Sequence, residues 1–123
     1  MAFADPITIT INAVNKSLAR AFQPIPGGPS RFVMSDESFI AEISHQIVKG
    51  KRERHLWKVT QKAITANPFI PAENIENYAS CYLVLDNPRQ GFTDTELQYL
   101  VQGTTSFIAS VAGNRDKFIN GEA

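Results

Sequence analysis

The hydrophobic period of this chain changes once, and that change limits what it can fold into. Up to about residue 85 apolar residues tend to recur at every second position; from residue 93 they recur every three or four. A period of two sends alternate side chains to opposite faces of a strand, whereas a period near 3.6 gathers them on one stripe of a helix. Strands therefore come first and helices last. The expected fold class is α+β: an N-terminal β-hairpin, an antiparallel β-sheet and two C-terminal α-helices.

Ile7, Ile9 and Ile11 alternate with Thr8, Thr10 and Asn12. A turn is expected at Asn15-Lys16, after which Leu18 to Gln23 folds back to complete a hairpin within residues 1–23. Pro24, Pro26 and Pro29 lack ladder donors, and Gly27-Gly28 favours a turn, so this stretch reads as a loop. The main sheet is expected over 31–87. A short strand (31–35) ends at the acidic pair Asp36-Glu37, expected to be solvated. A longer one (38–48) puts Phe39, Ala41, Ile43 and Ile47 on one parity and Glu42, Ser44 and Gln46 on the other. Lys49-Gly50-Lys51-Arg52 is expected to turn into a strand over 54–64. There Trp57 and Val59 oppose Lys58, Thr60 and Lys62. Residues 66–77, with Pro68 and Pro71, read as an exposed loop. In the last strand (78–85), Ala79, Cys81, Leu83 and Leu85 face away from Tyr78, Ser80 and Tyr82.

Residues 93–120 carry the helices. Thr93 and Glu96 have the spacing of a capping box, and Phe92 with Leu97 that of a hydrophobic staple. Leu97, Leu100, Val101, Phe107, Ile108 and Val111 form one apolar stripe. Gly113 is expected to end this helix, with Asn114 capping a short second helix through Ile119. One long helix covers a broad antiparallel sheet poorly. Helices from a second copy would complete the cover, so the pattern itself suggests a dimer.

Composition narrows the function classes. The 123 residues suit a single domain over 1–123. Basic and acidic residues number 12 each, which argues against a strongly basic nucleic-acid binder, although a zero sum can hide one basic face. No apolar run approaches ~20 residues, so no membrane span is expected. The N-terminus lacks signal-peptide features, and synthesis in the cytoplasm is the expectation. Cys81 is the only cysteine; it leaves no intrachain disulfide and reads as a small buried hydrophobe. Trp57 reads as core, and His45 and His55 as packed or interfacial. Neither a metal-ligand spacing nor a nucleophile-base pair stands out, so no catalytic residue, metal or cofactor is expected.

One constellation carries chemistry. Lys58, Thr60 and Lys62 share a parity, as do Ser44 and Gln46 on the preceding strand and Tyr78, Ser80 and Tyr82 on the last. Together they would form one polar face. Ammonium groups neutralise phosphates, hydroxyls and amides bond RNA edges, and an aromatic ring stacks an unpaired base. The bland alternative is a solvated sheet face. Tyr78 is the best stacking candidate; Tyr82 fits equally a packing role at a dimer axis.

The order of segments resembles the coat proteins of small single-stranded RNA bacteriophages, the leviviruses. Arg54-His55-Leu56-Trp57-Lys58-Val59-Thr60-Gln61-Lys62 is similar to their central strand, Tyr78-Ala79-Ser80-Cys81-Tyr82-Leu83 to a later strand, and Phe92-Thr93-Asp94-Thr95-Glu96-Leu97 to the start of their long helix. The resemblance covers nearly the whole chain. It implies helices that interlock in a homodimer through Leu97, Leu100, Val101, Phe107, Ile108 and Val111. It also implies an icosahedral shell with Asn67, Pro68, Phe69, Ile70 and Pro71 in the loop between dimers. The inner sheet face would bind single-stranded viral RNA through Ser44, Gln46, Lys58, Thr60, Lys62, Tyr78, Ser80 and Tyr82, and a hairpin bound there would repress translation. The protein would then reside in the virion. Two departures stand out: Ser80 lies where the family often has Asn or Asp, and the 66–77 loop has no cysteine for the inter-subunit disulfides of some relatives. The competing reading is a non-viral homodimeric β-sheet binding protein that forms no shell.

Overall fold

The computed structural model describes residue 3, residues 5–22 and residues 29–122; Gln23 and the expected loop residues Pro24, Pro26, Gly27 and Gly28 lie outside them. Six strands run in chain order: β1 (Ile7–Ile11), β2 (Val14–Phe22), β3 (Ser30–Val33), β4 (Phe39–Val48), β5 (Arg52–Ala66) and β6 (Asn74–Pro88). Helices α1 (Asp94–Ala109) and α2 (Asn114–Ile119) follow. The strands neighbour one another in sequence order in one six-stranded sheet. The pairs from β1 to β5 are antiparallel. Contacts from Arg52 to Asp86, Thr60 to Ser80 and Asn77 to Thr65 show that β5 and β6 are antiparallel too. The fold is the expected α+β class. The chain divides into two compact units, Met1–Asp86 and Asn87–Ala123.

The first turn is at Asn12-Ala13, not at Asn15-Lys16. Ile11 pairs with Val14, and the two residues between them take positive φ, 51° and 62°. That is the handedness a two-residue hairpin turn needs to match strand twist. Asn enters the left-handed region readily, while Ala does so at a cost of roughly 1–2 kcal/mol. The register repays it: Ile7 lies opposite Leu18, which puts Ile7, Ile9 and Ile11 on Leu18's face. The β4–β5 turn is likewise tighter than expected. Lys49 and Gly50 make it at positive φ, and Arg52 already pairs with Val48.

The core lies on the odd-numbered face of β4. Leu18, Phe32 and Ala41 are fully buried and Phe39 and Ile43 nearly so; Ile7, Ile9, Ile11, Met34, Trp57 and Val59 pack against them. Trp57, expected in the core, is half-buried against it. The Arg20 guanidinium lies 5.2 Å from the centroid of Phe32 and donates to the Phe3 carbonyl, a long basic stem shielding apolar surface. Cys81, expected to be buried, is exposed. It sits on the last strand, whereas the buried cluster is confined to β2, β3 and β4. His45 is exposed too, and its ring meets the His55 ring edge-on, 5.0 Å between centroids.

The loop between β5 and β6 is shorter than the expected 66–77. Ala66 ends β5 and Asn74 opens β6, so only the segment holding Pro68 and Pro71 leaves the ladder. Asn67 N–H donates to the Glu73 carbonyl (2.8 Å), Glu73 N–H to the Ile70 carbonyl, and Phe69 N–H to the Asn67 side chain. Phe69 stands 91% exposed at its tip.

The capping box at α1 is as expected: Glu96 N–H donates to Thr93 Oγ1, and Thr93 N–H to Glu96 Oε2. Its C-terminus differs. The helix ends at Ala109 with Ser110 as C-cap, so Val111 lies beyond it; Gly113, at φ 82°, is instead the N-cap position of α2. Asn114 caps backwards rather than forwards. Its Nδ2 donates to the Phe107 carbonyl at 2.8 Å, satisfying one of the last carbonyls of α1. No residue of α1 is buried. Tyr99, Leu100, Gly103, Thr104, Phe107 and Ile108 line an open apolar groove of about 460 Å³.

Candidate nucleic-acid interface

Strand register assembles the site. Lys58 lies opposite Glu42, Thr60 opposite Ile40, Leu56 opposite Ser44 and Arg54 opposite Gln46. With a period of two, Ser44, Gln46, Lys58, Thr60 and Lys62 therefore share the face opposite the core. Contacts with β6 extend it. Thr60 Oγ1 and Ser80 Oγ share a hydrogen bond of 3.0 Å, and Lys58 Nζ lies 5.3 Å above the Tyr82 ring. Lys62 Nζ lies 4.0 Å from Glu76 Oε1, and Tyr78 donates its hydroxyl to Glu76 Oε2 at 2.9 Å. All eight residues expected on one surface are on one surface. Tyr78 and Tyr82 are each about 60% exposed, which leaves area for a stacked base.

The expected set missed six charged residues on the same face. Arg31 on β3 reaches Glu42 at 4.0 Å, and Lys58 reaches the same carboxylate at 3.9 Å. Arg52 and Arg54 both hold Asp86, at 2.9 and 3.4 Å. The face thus carries Arg31, Arg52, Arg54, Lys58 and Lys62 against Glu42, Glu76 and Asp86. Its cations outnumber its anions by two in a chain of zero net charge. Arg52 was hidden by its placement in a turn; the carboxylates share the lysines' parity, but only register shows which cation each one meets.

Local chemistry marks two of these groups. The hydrogen bond from Arg52, backed by both guanidinium charges, holds the Asp86 carboxyl below its ordinary range. Donation to Glu76, and the nearby negative charge, push the Tyr78 phenol above 10.0. Tyr78 is therefore a neutral, flat, hydrogen-bonded ring at physiological pH.

On the opposite face His45 and His55 are register partners. Their Nδ1 atoms are 2.8 Å apart, and His55 Nε2 lies 3.8 Å from Glu53. Such a bond joins one protonated nitrogen to one bare nitrogen. Among the described residues no group of three or more His, Cys, Asp or Glu is placed to hold a metal ion.

No family model and no curated protein matches the sequence. Solved structures do match the fold. A virus-like particle of bacteriophage AVE019 superposes with TM-score 0.80 at 11% identity, over 96% of this chain and 95% of that one. A virus-like particle of Beihai levi-like virus 21 gives 0.75 at 14%, over 99% and 98%. An unassembled bacteriophage coat-protein dimer, described as an RNA-binding dimer, gives 0.56 at 11%, over 97% and 95%. The chain has the fold of levi-like phage coat proteins over nearly its whole length.

Proposed function

We propose that this chain is the coat protein of a small single-stranded RNA phage: a subunit that dimerises, closes into an icosahedral shell and packages RNA against the sheet face that carries Lys58 and Lys62. The observation that carries the reading is the likeness of fold to particle-forming subunits, over nearly the full length of both chains. Dimerisation through Leu97, Leu100, Val101, Phe107, Ile108 and Val111 is supported by a helix that has no buried residue and carries an open apolar groove. The last strand, β6, offers a second contact, since 15 residues border β5 on one side only. A strand edge of that length is a template for pairing with another copy. The loop Asn67, Pro68, Phe69, Ile70 and Pro71 supplies exposed apolar tips for contacts between dimers.

RNA would be held by Lys58 and Lys62 on phosphates and by Tyr78 under an unpaired base. Ser44, Gln46, Thr60 and Ser80 would hydrogen-bond, and Tyr82 would support Lys58. A hairpin bound in this way would make the dimer a translational repressor.

Two measurements test the reading. Electron microscopy of the expressed protein is expected to show closed shells; dimers with no particles would favour the non-viral binding protein instead. Filter binding of dimers to a hairpin and to a duplex, at several salt concentrations, tests the RNA face. The Lys58→Ala/Lys62→Ala double variant is expected to weaken both RNAs and lower the salt slope by about one unit per lost contact. Unchanged affinity and slope would remove the Lys58–Lys62 face as the RNA site.

A further inference from the structure

Resting on that reading, we propose that Glu42 and Glu76 are built-in competitors of RNA phosphate, holding Lys58 and Lys62 in reserve and keeping the affinity for RNA low. Each lysine suited to phosphate already has a carboxylate: Glu42 for Lys58 at 3.9 Å and Glu76 for Lys62 at 4.0 Å. Glu42 is shared with Arg31 on its other side. The second oxygen of Glu76 accepts the Tyr78 hydroxyl, so the base-stacking ring is tied to the same competitor. Two carboxylates therefore engage both lysines and the tyrosine at once.

Exposure sets which partner yields. The side chains of Lys58 and Lys62 are 27% and 19% exposed, while those of Glu42 and Glu76 are 43% and 54% exposed. The Lys58 ammonium lies over the Tyr82 ring. The glutamates are the more exposed members of each pair. An arriving phosphate can replace a carboxylate without moving the lysine.

The exchange has a definite ionic signature. A phosphate neutralised by a free lysine releases counterions from the RNA, which is what makes affinity fall with salt. When the lysine must first leave a glutamate, the freed carboxylate gathers cations from solution and cancels part of that release. The parent protein is thus expected to bind RNA more weakly, and with a shallower salt slope, than its lysines alone would give. Such damping suits a subunit that meets abundant unrelated RNA: a single phosphate contact gains little, while an RNA that meets several cations and stacks on Tyr78 gains enough.

Glu42→Gln and Glu76→Gln keep shape and remove charge. Each is expected to tighten binding about two- to five-fold at 50 mM salt, the range of an exposed ion pair. Each is also expected to steepen the slope, so that the gain shrinks toward the parent's affinity by 200 mM. On a Lys62→Ala background, Glu76→Gln is expected to lose most of its effect, because the lysine it restrains is gone. Thermal melts of all variants check the fold. If the lysine variants weaken binding but both glutamine variants bind like the parent, the competition is overturned and the RNA face stands. If Glu76→Gln gains as much without Lys62 as with it, the effect is general charge and the proposal is also overturned. If the lysine variants themselves bind like the parent, it is the RNA face that falls.

Discussion

Asp86 is held by two guanidiniums at once, Arg52 through Nε at 2.9 Å and Arg54 at 3.4 Å, and this fixes how its charge affects stability. Its carboxyl is held below the ordinary value of 3.8 in the folded chain. A group whose folded pKa is depressed contributes stability above its unfolded pKa and loses it as pH falls through the folded value. Asp86→Asn is therefore expected to lower the denaturant midpoint by a constant amount near neutral pH, with the gap to the parent closing only below about pH 4. A gap independent of pH down to the acid transition would show that the pair contributes through shape rather than charge. Residues like these define what sequence could reveal at this scale. The parity of Lys58, Thr60 and Lys62 was legible because alternation needs only one strand. That Lys58 faces Glu42, or His45 faces His55, was not, because a cross-strand neighbour depends on where the turn at Lys49-Gly50 falls. Shifting that turn by one residue would exchange every partner.

The loop between β5 and β6 shows the same limit in an element, and offers a test of it. Sequence placed a proline-bearing loop over 66–77, while the ladder continues to Ala66 and resumes at Asn74. Propensity sees the prolines but not the side-chain stitches beyond them, such as Asn77 Nδ2 to Thr65 Oγ1 at 2.9 Å. The helix start was fully legible because the Thr93–Glu96 box is local. Its end was not: Gly113 signalled a left-handed residue, but that residue begins α2 rather than closing α1. Since Asn67 and Glu73 are joined by a backbone bond of 2.8 Å, residues 68–72 can be replaced by Asn-Gly, a two-residue hairpin turn, without opening the ladder. The shortened chain is expected to remain folded and dimeric while its particles become fewer or change in size, because the exposed Phe69 and Ile70 are gone. Sedimentation and electron microscopy report the two properties separately. Particles identical to the parent's would exclude the loop from contacts between dimers.

On the scale of the whole molecule, the C-terminal helices expose a run of large apolar side chains. Helix α1 buries no residue, Leu100 and Phe107 are 57% and 60% exposed, and Phe118 and Ile119 more so. Apolar surface of this kind is stable in water only when something covers it, and a second copy supplies a matching helix and a matching strand edge. This makes Leu100→Asp an informative substitution. In the isolated chain Leu100 already meets solvent, so an aspartate there would change intrinsic stability by only a few tenths of a kcal/mol, as at ordinary surface sites. In a dimer the same carboxylate would be carried into the Tyr99–Phe107 groove and desolvated without a partner, at a cost of roughly several kcal/mol. The variant is therefore expected to lose dimers over a dilution series that leaves the parent dimeric, and to melt at a lower temperature that no longer rises with concentration. A folded parent monomer at every dilution, or a variant that dimerises as tightly as the parent, would mean that the groove is not covered by a second copy.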